Sequence, residues 1–257
     1  MSTSNKKIGG TKKVYLVTGA GSGIGAAAIR LLLADSAYVC AADWKEVPID
    51  GIAKKHLMRL KTVKCDVSKE VDCNRAVAET VAAFGSLHSL IHFAGIHSVK
   101  KWDELDAMEF ARLYAINVTG SFLMAQAAAR YMKDHGGGAI VLTGSTSTIT
   151  SGVGGEGRGG LAYTCSKGAI VALNRGLAKS LGQFGIRVNA VSPGATTTAM
   201  TADYTKKAVA EVGRRSPLGR IGRPEEIAAV AIFLASDAPT YMTGEIVNSN
   251  GGSSFGH

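Results

Sequence analysis

Thr18-Gly19-Ala20-Gly21-Ser22-Gly23-Ile24-Gly25 is the stretch that decides the fold. It follows a short apolar run, Val14–Thr18, and leads into the Ala/Leu-rich segment Ile24–Ala34. Apolar run, clustered glycines and helical period are the pattern of a strand, a phosphate-cradling loop and a helix. The glycines let the backbone turn sharply and let a pyrophosphate approach closely. The helix N-terminus adds free N–H groups and a partial positive charge. On this pattern Gly19, Ser22, Gly23, Ile24 and Gly25 are expected to hold a dinucleotide. A glycine-rich octapeptide alone also fits a flexible loop, and its position between a strand and a helix favours the ligand.

The same strand-then-helix rhythm continues outward. Strands are expected at Tyr38–Ala42, Val63–Val67, Leu87–Phe93, Ala139–Thr143, Arg187–Val191 and Glu245–Asn248. Helices are expected at Lys69–Phe84, Glu109–Lys133, Ala162–Phe184 and Glu225–Ser236. Apolar strands alternating with helices predict an α/β fold: a Rossmann-type, doubly wound parallel sheet of about seven strands with helices on both faces. Such sheets bind ligands at the carboxyl ends of their strands. The expected organisation is a flexible N-terminal tail over 1–12 and one dinucleotide-binding catalytic domain over 13–257, with no internal repeat or linker.

Asp43 ends the second strand eighteen residues after Gly25. A carboxylate there can accept hydrogen bonds from adenosine ribose hydroxyls and would repel a 2′-phosphate. Two unit charges at about 4 Å and an effective dielectric of about 20 repel by about 4 kcal/mol, roughly a thousandfold in binding, so NAD is expected over NADP. Lys45 nearby tempers that preference. Asp66, after the third strand, is a candidate for the adenine amino group, and a helix N-cap with Ser68 is the competing reading.

Composition narrows the class. The 257 residues are 46% apolar and 19% charged, a globular balance. The formal charge of +9 suggests a nucleic-acid partner at first sight. No basic block interleaves with aromatics, so a basic enzyme surface is the better reading and no nucleic-acid partner is expected. Cys40, Cys65, Cys73 and Cys165 form no C-x-x-C pair and no zinc spacing, so no metal is expected and the thiols are read as reduced. Val14–Ala34 is too broken by glycines and Arg30 to be a signal or membrane segment, which points to the cytoplasm and no membrane partner.

Tyr163 and Lys167 stand four apart at the start of a helix and share one face. A free phenol ionises near pH 10, and proton transfer near neutrality requires a drop of about 3 pH units, roughly 4 kcal/mol. A neighbouring ammonium and an oxidised nicotinamide can supply it. A surface i,i+4 pair is the plain alternative.

With these residues together, the chain resembles the short-chain dehydrogenase/reductase family from about Lys13 to Gly252. The resemblance rests on Thr18-Gly19-x-x-x-Gly23-x-Gly25, Asp66-Val67, Ala94-Gly95, Asn117-Val118-x-Gly120, a serine after the fifth strand, Tyr163-x-x-x-Lys167 and Pro193-Gly194. Each motif is short, and their joint order is specific. The resemblance implies a hydride transfer between NAD(H) and a secondary alcohol or ketone, with Tyr163 as general acid/base. It implies that Ser145, with Ser147 as fallback, hydrogen-bonds the substrate oxygen, and that Asn117 holds a water relaying protons to Lys167. It adds Val67, Ala94, Gly95, Pro193, Gly194, Thr196 and Thr198, with Tyr163 and Lys167, to the cofactor contacts. It also implies a homotetramer, which the alanine-rich faces of two long helices would suit.

Three departures stand out. His92-Phe93-Ala94-Gly95 replaces the family's usual Asn-Asn-Ala-Gly, which puts local bracing of the sheet in doubt. The interval from Ser145 to Tyr163 is longer than usual. Asn248-Ser249-Asn250-Gly251-Gly252 stands where an aspartate often precedes paired glycines. The extra length carries the glycine-rich stretch 152–160, readable as a mobile rim in which Arg158 could meet an acidic group, or as an inert loop. His97 reads more readily as a solvated loop residue than as a pocket residue, and Thr201–Ser216 as a lid helix stopped by Pro217. The rival functions are an NADP-dependent ketone reductase of 3-oxoacyl type, a non-catalytic dinucleotide sensor, and a nucleic-acid binder.

Overall fold

Strands buried on both faces need apolar side chains in both directions, and that need is met throughout the sheet. The computed structural model describes residues 13–151, 160–198, 201 and 205–256. The seven strands are β1 (Val14–Thr18), β2 (Tyr38–Asp43), β3 (Leu60–Lys64), β4 (Ser89–His92), β5 (Gly138–Thr143), β6 (Ile186–Pro193) and β7 (Ile246–Ser249). They form one sheet in the order β3-β2-β1-β4-β5-β6-β7, and every neighbouring pair is parallel. The strand order reverses between β1 and β4, where a crevice opens at the carboxyl ends.

The described helices are α1 (Gly23–Ala34), α2 (Lys54–Leu57), α3 (Glu70–Phe84), α4 (Ala107–Tyr114), α5 (Gly120–Met132), α6 (Ser147–Thr150), α7 (Leu161–Leu181), α8 (Lys206–Arg214) and α9 (Pro224–Ala235). Consecutive residues of β1 divide between two cores: Leu16 joins one with Met124, Ile170 and Cys73 of α5, α7 and α3, and Val17 joins the other with Ile29, Leu32 and Ala228 of α1 and α9. Helices therefore cover both faces, as the apolar alternation predicts. No described helix is long and apolar enough to cross a membrane.

The differences from the expected elements have local causes. The third strand lies at Leu60–Lys64, three residues earlier than expected, because its partner β2 pairs Val39 with Leu60 and Asp43 with Lys64. Cys65–Val67 is thereby released into the crevice wall. The single helix expected at Glu109–Lys133 starts at Ala107, where the Asp106 carboxylate accepts a hydrogen bond from Glu109 N–H at 2.8 Å. It is interrupted by a π-helical turn over Ala115–Thr119 before α5 begins. α2 and α6 are too short to leave a helical period in the sequence. The expected lid helix is represented by α8, and residues 199–200 and 202–204 of the surrounding segment lie outside the described residues. The expected tail 1–12 and residues 152–159 of the glycine-rich stretch, Arg158 included, also lie outside them.

Candidate active site

The turn from β1 into α1 is closed by glycines for steric reasons. A Cβ at Gly25 would stand 2.1 Å from Gly19 O. A Cβ at Gly19, whose φ is +66°, would stand 2.7 Å from Ala94 N. The loop therefore lies flat between its own helix and the chain leaving β4. Asp43 at the end of β2 accepts a hydrogen bond from Gly21 N–H at 2.9 Å through Oδ2 and one from Lys45 N–H at 3.0 Å through Oδ1. The carboxylate is thus locked against the glycine loop, with lone pairs to spare for a diol.

Asp66 spends Oδ1 on Ser68, accepting from its N–H at 3.1 Å and its hydroxyl at 2.7 Å. The helix N-cap weighed from the sequence is not formed: α3 begins at Glu70 with Lys69 as its N-cap, and the Asp66–Ser68 bonds close a local turn ahead of it. Asp66 and Val67 still line the crevice. Val67 also fixes the start of α5, because a Cβ at Gly120 would come within 2.8 Å of its Cγ2. On the other side the chain after β6 folds back onto the loop: a Cβ at Gly23 would meet Thr198 at 3.2 Å. Thr196 is buried and its hydroxyl donates to Gly194 O at 3.0 Å. Asn250 packs against Gly194, accepts from Gly252 N–H at 2.9 Å and donates to Ser254 O at 2.9 Å. An aspartate could not make the last bond, which gives the Asn at this departure a structural use.

Tyr163 and Lys167 reach the crevice from the first turns of α7. Lys167 is 5% exposed, and its ammonium donates to Thr143 O at 2.8 Å. Burial lowers its pKa to about 8. Lys167 Nζ lies 5.7 Å from the centre of the Tyr163 ring. Asn117, in the π-turn, is fully buried. Its Oδ1 accepts from Ile96 N–H at 2.8 Å, and its Nδ2 donates to Ile96 O at 2.9 Å and to Ser166 Oγ at 3.0 Å. Both amide hydrogens are therefore committed to the loop after β4 and to α7, so the side chain braces those two elements. A Cβ at Gly95 would sit 3.1 Å from Asn117 Oδ1 and 3.7 Å from Lys167 Nζ, which keeps that position open.

Ser145 and Ser147 both line the crevice. Ser145 Oγ accepts from Ser147 N–H at 3.2 Å. Ser147 is buried, and its Oγ has no hydrogen-bond partner among the described residues. His97, read from the sequence as a solvated loop residue, turns inward instead: its ring centre is 4.5 Å from that of Tyr163, edge to face. Burial and the Lys167 charge lower its pKa. No local sequence signal marks this orientation. It follows from hydrogen bonds that the neighbouring residues make to distant parts of the chain.

His92 takes over sheet bracing from the family's asparagine. Its Nδ1 lies 2.8 Å from Thr18 Oγ1, which also accepts from Ala94 N–H at 3.3 Å, so β1 and β4 are tied at the switch point. Its Nε2 is buried with no partner among the described residues, and desolvation takes its pKa to about 3.

The glycine loop, Asp43, Asp66, Val67, Ala94, Gly95, His97, Ser145, Ser147, Tyr163, Lys167, Pro193, Gly194, Thr196 and Thr198 wall one crevice of about 1930 Å³, whereas Asn117 and His92 do not line it. Among the described residues no three His, Cys, Asp or Glu side chains cluster to hold a metal. A glycine loop, a carboxylate locked against it at the end of β2 and a buried lysine beside a tyrosine define an oxidoreductase of the dinucleotide-binding class. Residues 19–254 match a family model described as enoyl-(acyl carrier protein) reductase. The chain is 34% identical over 254 residues to an L-fucose dehydrogenase of Bos taurus, covering 95% of this chain and 90% of that protein. It is 36% identical over 247 residues to an NAD-dependent glycerol dehydrogenase of Listeria innocua, covering 94% of each. The solved structure of a 3-ketoacyl-(acyl-carrier-protein) reductase from Brucella melitensis, complexed with NADH, superposes with a TM-score of 0.85 at 27% identity, over 95% of this chain and 98% of that one. The chain belongs to the short-chain dehydrogenase/reductase family.

Proposed function

We propose that the protein is an NAD(H)-dependent dehydrogenase of secondary alcohols, running in reverse as a ketone reductase, and that 13–257 form its one catalytic domain. The observation that carries this reading is the convergence of Tyr163, Lys167 and Ser145 on the crevice that also holds the glycine loop and Asp43. The residues fit the cofactor: Gly19, Ser22, Gly23, Ile24 and Gly25 line the crevice at the start of α1, where free N–H groups favour a pyrophosphate, and Asp43 offers acceptors to ribose hydroxyls. Asp66, Val67, Ala94, Gly95, Pro193, Gly194, Thr196 and Thr198 line the rest of the crevice and would hold the remainder of the dinucleotide. When bound, the nicotinamide supplies or accepts the hydride.

The protein's own groups handle the proton. Tyr163 takes the hydroxyl proton during oxidation and returns it during reduction. The Lys167 ammonium, close to the phenol in a dry site, favours the phenolate. Ser145 donates a hydrogen bond to the substrate oxygen as charge grows on it. Asn117 is a positioning residue, holding the Ile96 loop against α7. The dehydrogenase names of the fucose and glycerol relatives support an alcohol substrate and NAD as cofactor. Four free cysteines suit a reducing cytoplasm, and the exposed Phe122 and Leu161 of α5 and α7 suit helix packing in a homotetramer. The test is NADH formation from NAD with a panel of secondary alcohols, polyols and hydroxy acids. Turnover with at least one class supports the reading. No turnover with any, alongside tight NADH binding, selects the sensor instead.

A further inference from the structure

Two polar side chains in the crevice have no task in proton transfer. His97 is bracketed by fixed neighbours: Ile96 is bonded at both backbone atoms to Asn117, and Ser98 O accepts from Gly160 N–H at 2.7 Å, just before α7. A Cβ at Gly160 would clash with Lys100 O at 2.6 Å, so α7 begins in close contact with the His97 loop. The imidazole is therefore preorganised beside Tyr163. It makes no side-chain hydrogen bond to any described residue. Ser147, two residues beyond Ser145, is 9% exposed, lines the same crevice and leaves its Oγ unpartnered. A buried hydroxyl without a partner costs about 1–3 kcal/mol, and a turn of the Ser147 side chain toward a ligand oxygen in the crevice would recover it.

We propose that His97 and Ser147 form a second polar contact set that selects substrates carrying an oxygen on the carbon next to the reacting one: vicinal diols and the matching hydroxyketones. Oxygens on adjacent carbons lie roughly one hydrogen-bond length apart. While Tyr163 and Ser145 engage the reacting oxygen, its neighbour falls beside the imidazole edge. A neutral imidazole offers one donor and one acceptor, and a hydroxyl offers both as well, so the pair can satisfy either a diol or a hydroxyketone. Facing His97 are the Tyr163 ring and Lys167 of α7, and the Lys167 charge helps keep the imidazole neutral.

This inference rests on the alcohol dehydrogenase reading, and one experiment separates the two. Initial rates of NAD reduction are measured with cyclohexanol and with its cis vicinal diol, for the wild-type protein and for His97→Leu, His97→Gln and Ser147→Ala, with NADH binding by fluorescence as the check on folding. The ratio of kcat/KM for diol over alcohol is the readout. It is expected to exceed about tenfold in the wild type, to fall by about tenfold in His97→Leu and Ser147→Ala, and to be largely kept by His97→Gln, which retains donor and acceptor. Equal efficiency of the two substrates in the wild type, or equal losses on both in the variants, overturns the diol assignment alone. Absence of turnover with both substrates overturns the diol assignment, and absence across the whole panel of alcohols, polyols and hydroxy acids in NADH-binding wild-type protein overturns the dehydrogenase reading beneath it.

Discussion

Lys167 holds an ammonium at 5% exposure with one carbonyl, Thr143 O, within hydrogen-bond reach. Its pKa falls from 10.5 to about 8 because burial penalises the charge. Between those values the unfolded chain binds the proton and the folded chain does not, so folding becomes more favourable as pH rises through the window. Below about pH 8 both states are protonated and the full penalty stands. Replacing the residue by a neutral side chain removes it. Lys167→Met is therefore expected to melt above the wild type at pH 7, with the gap closing toward pH 10 in paired thermal scans. A gap that widens with pH would contradict this account. His92 has the same sign in a different window: its pKa is lowered from 6.5 to about 3, so the wild type loses stability as pH falls below 6.5. His92→Asn, which restores the residue usual in the family, is expected to flatten the loss between pH 6.5 and 5, read by urea midpoints. At this scale the Tyr163/Lys167 pair was legible because helical spacing alone puts both on one face. The inward turn of His97 was not, because it depends on Asn117 and Gly160 meeting its loop from distant segments.

The glycine loop shows how an element inherits its shape from what it must avoid. With 2.1 Å between a Gly25 Cβ and Gly19 O, no rotamer relieves the overlap, since both partners are backbone. Gly25→Ala is expected to weaken NADH binding by at least about tenfold and to lower stability by about 1–3 kcal/mol, measured by fluorescence titration and urea unfolding. Wild-type affinity in this variant would show that the loop is not held as described. Elements with a long apolar period were readable from the chain. The displacement of β3 was not, because Leu60–Lys64 shows little apolar patterning and lies at the sheet edge, where β2 sets its register. The π-turn around Asn117 also left no trace, since one extra residue in a helical turn changes no composition. It places Asn117 where both Ile96 and Ser166 are in reach.

Across the whole molecule, the carboxyl ends of β1, β2, β4, β5 and β6 deliver groups to one crevice, and the strand order, more than any single motif, decides that they meet. Alternating apolar strands and helices made the parallel sheet legible, but not the strand order, which long-range pairing decides. The charge at the end of β2 is expected to set cofactor choice, with NADH binding about a thousandfold more tightly than NADPH. Asp43→Ala should narrow that ratio by at least about tenfold, chiefly by admitting NADPH, in parallel fluorescence titrations. The central claim is that the molecule assembles a cofactor cradle and a proton-transfer phenol in one place. Tyr163→Phe tests it most directly, with alcohol oxidation and NADH affinity measured on the same preparation. The account predicts a fall in kcat of at least about a hundredfold with NADH affinity unchanged. Turnover at the wild-type rate would contradict it.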